Sequence, residues 1–319
     1  MMCCFASVAD LVRESKDLAP RIGLTSGAVS IGFVLGNLGS GLMISHTGYP
    51  SVFLLASSTA TLSLITATFW FLETKQVEVP RTTSLFTIQG VPTPVELKIK
   101  TSLLSKIKGM IHFIWTRIKD TLGTLTQKRP NHRQSYLCIG LLCFLLTHAS
   151  DQSMTPVVLL YVKHAPLSWS DAEFTLYMAE CAASAAFGML FTNRCIRYLT
   201  LRMNEHHREI NVIIFGTVFA FIRQLILIFA DTSALVFISA SLFGFASVLY
   251  PNYRALLSKL VSKPESGKVF ALISTAETFA PLLSVLIYNT VYTVTVDLMH
   301  GAVFIIAACV IFINGLVIW

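Results

Sequence analysis

The chain has 319 residues, of which 54% are hydrophobic and only 13% charged, and its formal net charge is +7. A soluble domain carries about 25% charged residues. A chain this poor in charge, with a mean hydropathy of +0.67, cannot cover a water-facing surface, so lipid is its main solvent. The positive balance then reads as a membrane-orienting bias and not as a nucleic-acid footprint.

The opening segment, residues 1–21, lacks the basic start and the long apolar core of a secretory signal. It reads as the last turns of a membrane helix running into a charged loop. Eight membrane spans are expected after it, at about Ile22–Ser45, Ser51–Leu72, Tyr136–Tyr161, Leu176–Phe191, Ile210–Phe229, Leu235–Leu256, Val269–Tyr292 and Gly301–Trp319. Each approaches the roughly 20 apolar residues that cross a bilayer. The loops between them are short except for residues 73–135, where eleven Lys and Arg face four acids. Within that linker, Val95–Leu125 places apolar residues at roughly helical spacing among lysines, which predicts an amphipathic helix on the inner membrane face.

Of the 24 Lys and Arg, 22 fall on one side of this arrangement, with only Lys163 and Arg223 at or near the other. Positive charge marks the cytoplasmic side, so both chain ends and the linker are placed there. Two spans precede the linker and six follow it. Transporters built from two six-helix halves joined by a cytoplasmic linker share this pattern. The fold class is thus all-α and membrane-spanning, with three parts. Residues 1–72 are a remnant of an N-terminal bundle, 73–135 are the linker and 136–319 are a complete six-helix bundle.

Charge inside a span costs at least about 2.5–3.5 kcal/mol, so each instance calls for a partner or a function. His148 and Asp151 lie three residues apart, on one helix face. A histidine beside a carboxylate suits proton coupling, and the alternative is a hydrogen-bonded core histidine near the outer membrane edge. Glu180 lies among small residues that permit close helix packing. It either faces a cavity and takes a proton or cation, or sits wet near a helix end. Arg223 either pairs with a carboxylate or snorkels outward. Glu277 is read as gating or as pairing with a basic loop. Arg254, at the start of a basic hinge with Lys259, Lys263 and Lys268, attracts an anion, pairs with an acid across the two halves, or anchors the helix at the cytoplasm. Six glycines in the first span (Gly23, Gly27, Gly32, Gly36, Gly39 and Gly41) predict close approach of a neighbouring helix.

No nucleophile elbow, P-loop, dinucleotide fingerprint or metal-ligand spacing is present, which argues against an enzyme and against a bound cofactor. The seven cysteines form no CxxC, so neither a disulfide framework nor a zinc site is indicated.

The stretch RALLSKLVSKPESGKVFALISTAETFAPLLSVLIYNTVY, from Arg254 onward, resembles the proton-coupled folate transporter family, solute carrier family 46, of the major facilitator superfamily. The family pattern at the cytoplasmic end of helix ten is met by Arg254, Leu257, Ser258, Lys259, Leu260, Val261, Glu265 and Gly267. APLSW at Ala165–Trp169, FASVAD at Phe5–Asp10 and GFVLGNLGSG at Gly32–Gly41 are also similar, with Asn37 standing where the family often has proline. The resemblance implies proton-coupled symport of small anionic organic solutes, with the proton as coupling ion, in the plasma or lysosomal membrane. It implies a substrate and proton role for Arg254, a transport role for Asp10, and a counterpart of His148 on helix seven. It also implies that helices one to three and most of helix four lie outside this sequence. The alternative is a truncated, non-transporting membrane protein that associates with a full-length relative or is degraded; the protein partners considered are such a relative or a homo-oligomer.

Overall fold

A computed structural model describes residues 18–70, 119, 121, 123–125, 132–164, 166–199, 205–262, 265–296 and 298–318. The described residues form helices, with no strand among them: α1 (Leu18–Thr47), α2 (Tyr49–Trp70), α3 (Arg133–Lys163), α4 (Asp171–Phe187), α5 (Asn193–Leu199), α6 (Glu205–Ile228), α7 (Ser233–Ser247), α8 (Leu249–Lys259), α9 (Ser266–Thr295) and α10 (Ala302–Ile318). Among the described residues, seven stretches are long and apolar enough to cross a membrane, and α10 is a shorter apolar helix. All eight expected spans fall on these helices. Most of the expected surface helix at Val95–Leu125, and Asp10, lie outside the described residues.

Two of the spans are interrupted, each for a local reason. A π turn, Gly188–Thr192, joins α4 to α5. The α7–α8 span breaks at Val248. Pro251 has no N–H for the Ser247 carbonyl, and its ring crowds that carbonyl. The Asn252 side-chain amide then donates to the Val248 carbonyl at 2.7 Å, so the break leaves this group satisfied in a medium without water. The start of α4 is equally explicit. Ser170 and Glu173 form a reciprocal capping box, in which the Ser170 hydroxyl accepts the Glu173 N–H and the Glu173 carboxylate accepts the Ser170 N–H.

α1 packs on α4, α3 on α9, and α6 on α7 and α10. Lipid tails are as apolar as leucine, so close packing and hydrogen bonds hold such helices together. Asn314 donates to Thr147 at 3.1 Å, Ser284 to the Ala149 carbonyl at 3.0 Å, and Ser150 and Tyr288 share a bond of 2.8 Å, which ties α3 to α9 and α10. In the turn before α4, the Trp169 indole donates to Ser233 at the start of α7 (2.8 Å), and its ring stacks on Phe237. α2 carries no buried residue among those described. Its Ser57, Thr61 and Thr66 hydroxyls bond back to the carbonyls of Phe53, Ser57 and Leu62, which lets them face lipid.

The glycine expectation is met in part. A Cβ on Gly23 or Gly27 would lie 2.8 Å from Asn193 or 2.7 Å from Leu190, while Gly32, Gly36 and Gly39 meet nothing within 4 Å. The tightest approach is elsewhere, where α4 crosses α7: a Cβ on Gly188 would fall 1.7 Å from the Gly244 carbonyl oxygen. Because this is backbone against backbone, no side chain can move aside. Gly188→Ala is expected to cost at least about 1–3 kcal/mol, the usual range for overpacking. Gly32→Ala should stay within about 0.5 kcal/mol. Thermal unfolding in detergent micelles reads the difference, and equal midpoints would contradict the packing described.

Candidate solute and proton site

A cavity of about 330 Å³ opens between α1, α3, α4, α6, α7, α8 and α9. Its apolar lining includes Val29, Phe33, Met178, Met189 and Phe243; its polar lining includes His148, Asp151, Arg223, Tyr250, Arg254 and Glu277. Five of the seven residues singled out in the sequence therefore meet in one place: His148, Asp151, Arg223, Arg254 and Glu277.

These groups form two ion pairs. Arg223 donates from Nη1 to Asp151 Oδ1 at 2.7 Å, and Tyr250 donates its hydroxyl to Asp151 Oδ2 at 2.7 Å. The guanidinium of Arg223 also lies 4.8 Å from the centre of the Phe243 ring. Both Asp151 oxygens are thus engaged, and the cation is held from a second side by the ring's negative face. In the second pair, Arg254 donates from Nε to Glu277 Oε1 at 3.1 Å and from Nη2 to the same oxygen. Glu277 stays more exposed than Asp151, at 18% of its side chain against 13%. Its backbone is also less constrained, because Pro281 has no N–H to donate to the Glu277 carbonyl.

His148 joins the two pairs. It is the midpoint of the 31-residue α3, well inside the span and away from the outer edge that the sequence allowed. Its ring stacks on Phe144 at 5.7 Å and meets Tyr250 edge-on at 5.6 Å. Phe144 in turn lies 5.9 Å from the Arg254 guanidinium. The His148 Nδ1 is buried without a hydrogen-bond partner.

The structure places Arg254, Glu180 and Arg223 among the alternatives that the sequence left open. Arg254 is neither a hinge residue nor a surface anchor; it is 8% exposed inside α8, which continues to Lys259. Its acid, Glu277, belongs to α9. Glu180 is away from this cavity. It faces a separate groove and accepts a hydrogen bond from Ser241 at 2.6 Å. Of the two readings of Arg223, pairing with a carboxylate is the one observed.

One charged residue escaped sequence reasoning altogether. Glu209 has a side chain with 0% exposure and accepts from Lys259 at 2.7 Å, with Arg197 at 3.8 Å. Arg197 also donates to Asn252, which donates to Asn193. This cluster braces α5, α6 and α8 at the basic face. Glu209 lies one residue before the expected span at Ile210, where charge at a helix end drew no notice. The signal available was Glu205 and Glu209, two acids in a stretch with Arg194, Arg197, Arg202 and Arg208.

The model of the Major Facilitator Superfamily matches residues 1–203, more than half of the chain. The chain is 25% identical over 312 residues to the proton-coupled folate transporter of Bos taurus, covering 98% of this chain and 60% of that protein. It is 24% identical over 314 residues to the proton-coupled folate transporter of Rattus norvegicus, covering 98% and 60%. It is 24% identical over 305 residues to the lysosomal proton-coupled steroid conjugate and bile acid symporter of Pongo abelii, covering 96% and 59%. The chain spans about 60% of the length of these relatives. It belongs to the Major Facilitator Superfamily, a family of transporters and not of enzymes, and is an integral multi-pass membrane protein.

Proposed function

We propose that this member of the superfamily is part of a proton-coupled symporter for small organic anions, working in the plasma or lysosomal membrane. The division into residues 1–72, 73–135 and 136–319 belongs to the same reading. The observation that carries it is the Arg254–Glu277 pair at the wall of the cavity. Two arginines and two carboxylates line that cavity, so with His148 neutral its net charge is zero and an anion gains little by entering. A proton on Glu277 neutralises the carboxylate and releases the Arg254 guanidinium, and the anion then takes the carboxylate's place. Proton and anion enter together because one arginine serves both.

The other groups follow from their surroundings. Asp151 is held by Arg223 and Tyr250 and acts as a fixed part of the wall. His148, one turn from Asp151 and with a free Nδ1, passes the proton toward Glu277. The apolar lining holds the body of the solute, and 330 Å³ lies at the small end of ligand cavities, which run from about 300 to 1,000 Å³. The relatives named for folate and for steroid conjugates and bile acids point to an organic acid with a ring system. The role of Asp10 rests on the family resemblance.

The test is equilibrium binding of folic acid and of a bile acid to the chain in lipid nanodiscs, at acidic and at neutral pH. Binding is expected to be tighter in acid. Arg254→Ala should weaken it by about tenfold to a hundredfold, the range for losing a hydrogen bond to a charged group. Unchanged binding in that variant would remove Arg254 from the mechanism.

A further inference from the structure

We infer that the groove bounded by α1, α4 and α7 is a second binding site, built for a lipophilic amine whose protonated nitrogen sits on the Glu180 carboxylate. The groove is lined by Val34, Leu38, Leu176, Ala179, Ala183 and Phe237, with Glu180 its one charged lining residue among those described. Leu176, Ala179, Glu180 and Ala183 follow the 3, 4, 7 spacing of one helix face. Tyr177, Met178, Cys181 and Ala182 of the same helix line the central cavity instead. The two sites share no lining residue, so α4 separates them.

The carboxylate is what gives the groove a ligand chemistry. Glu180 is nine residues into the span that begins at Asp171, about 14 Å along the axis, and so is well below the wet end of the helix. The other three acids in the helical core each have a cation: Arg223 for Asp151, Arg254 for Glu277, and Lys259 for Glu209. Among the described residues Glu180 has none, and its bond is to the Ser241 hydroxyl, which also reaches the Phe237 carbonyl at 3.3 Å. One hydroxyl does not offset a charge at membrane depth. The missing element is a cation with N–H donors, and the apolar walls require it to carry a hydrocarbon body. A long-chain primary amine meets both requirements. An alcohol of the same length supplies a hydrogen bond but no charge.

The experiment is photolabelling of the chain in nanodiscs with a diazirine-bearing long-chain primary amine and, separately, with the alcohol of equal length. The amine is expected to label residues of α4 and α7 that line the groove, and excess unlabelled dodecylamine should displace it. Glu180→Gln should reduce amine labelling by about tenfold or more, the loss expected for a charge-assisted hydrogen bond. Labelling by the alcohol should be weak and unaffected. Ser241→Ala keeps the carboxylate and should keep the labelling. Where the Gln variant does not fold, Glu180→Asp withdraws the charge by one methylene and should lower labelling. Equal labelling by amine and alcohol would overturn the inference and leave an apolar lipid groove. So would amine labelling that ignores the changes at Glu180, or labelling confined to the central cavity. The inference does not depend on the transport reading and survives its failure.

Discussion

Asp151→Ala is expected to destabilise the folded protein by about 3–5 kcal/mol, the cost of leaving one member of a buried ion pair without its partner. Arg223 has a side chain 8% exposed, so water cannot take over the role of the carboxylate. Tyr250 also loses the acceptor for its hydroxyl. Replacing both charges, as in Asp151→Leu with Arg223→Met, removes the uncompensated cation and should recover most of the loss, because apolar residues of similar volume often replace buried pairs without penalty. Tyr250→Phe removes one hydrogen bond to a charged group and should cost about 1.5–3 kcal/mol. Thermal unfolding midpoints in detergent, compared as a double-mutant cycle, check the series. If the single and double variants are equally unstable, the pair is not what holds α3 to α6.

Glu277→Gln is expected to act on function and not on fold. The amide no longer competes for Arg254 as a carboxylate does, yet it keeps the size and one acceptor for the guanidinium. The variant should therefore bind an organic anion at neutral pH about as tightly as the unmodified chain binds it in acid. The gain at neutral pH should be about tenfold or more, since freeing one charge-assisted hydrogen bond is worth about 1.5–3 kcal/mol. The sign follows from the exchange itself. In the unmodified chain acid supplies the proton that neutralises Glu277, so affinity rises as pH falls. In the variant that proton is not needed, and the dependence flattens. Binding measured across the pH range distinguishes the cases, and a variant that keeps the full acid dependence would assign the coupling proton to another group, with His148 the first candidate.

The contrast between these two substitutions comes from details the sequence does not carry. His148, Asp151, Arg254 and Glu277 were recognisable because a charged or ionisable side chain inside an apolar run needs a reason to be there. Their pairing was not, since Arg223 reaches Asp151 across 72 positions and Tyr250 reaches it across 99. The helices themselves were legible from apolar length, but the start of α4 at Asp171 precedes the expected Leu176, because its first turn is set by the Ser170–Glu173 capping box and not by apolar residues. The break at Val248 follows from Pro251 once the helix register is known. The π turn at Gly188 has no comparable mark, because it depends on α4 meeting Gly244 of α7. Glycine spacing likewise identified α1 as a packing helix but could not say which glycines touch a neighbour. Glu180 shows the limit of reasoning from residue type alone: its small neighbours spoke only for close packing, and the groove it lines with Leu176, Ala179 and Ala183 needed the structure.

The central claim is that one arginine is shared in turn by Glu277 and by the anion. It is tested most directly by counting the protons taken up when the anion binds. The purified chain in nanodiscs, in weakly buffered solution near neutral pH with an indicator dye, is mixed with saturating folic acid or bile acid. The account predicts uptake of about one proton per anion bound, as linkage between the two ligands requires, and uptake near zero in Glu277→Gln. Anion binding without proton uptake in the unmodified chain, or the same uptake in both proteins, would contradict it.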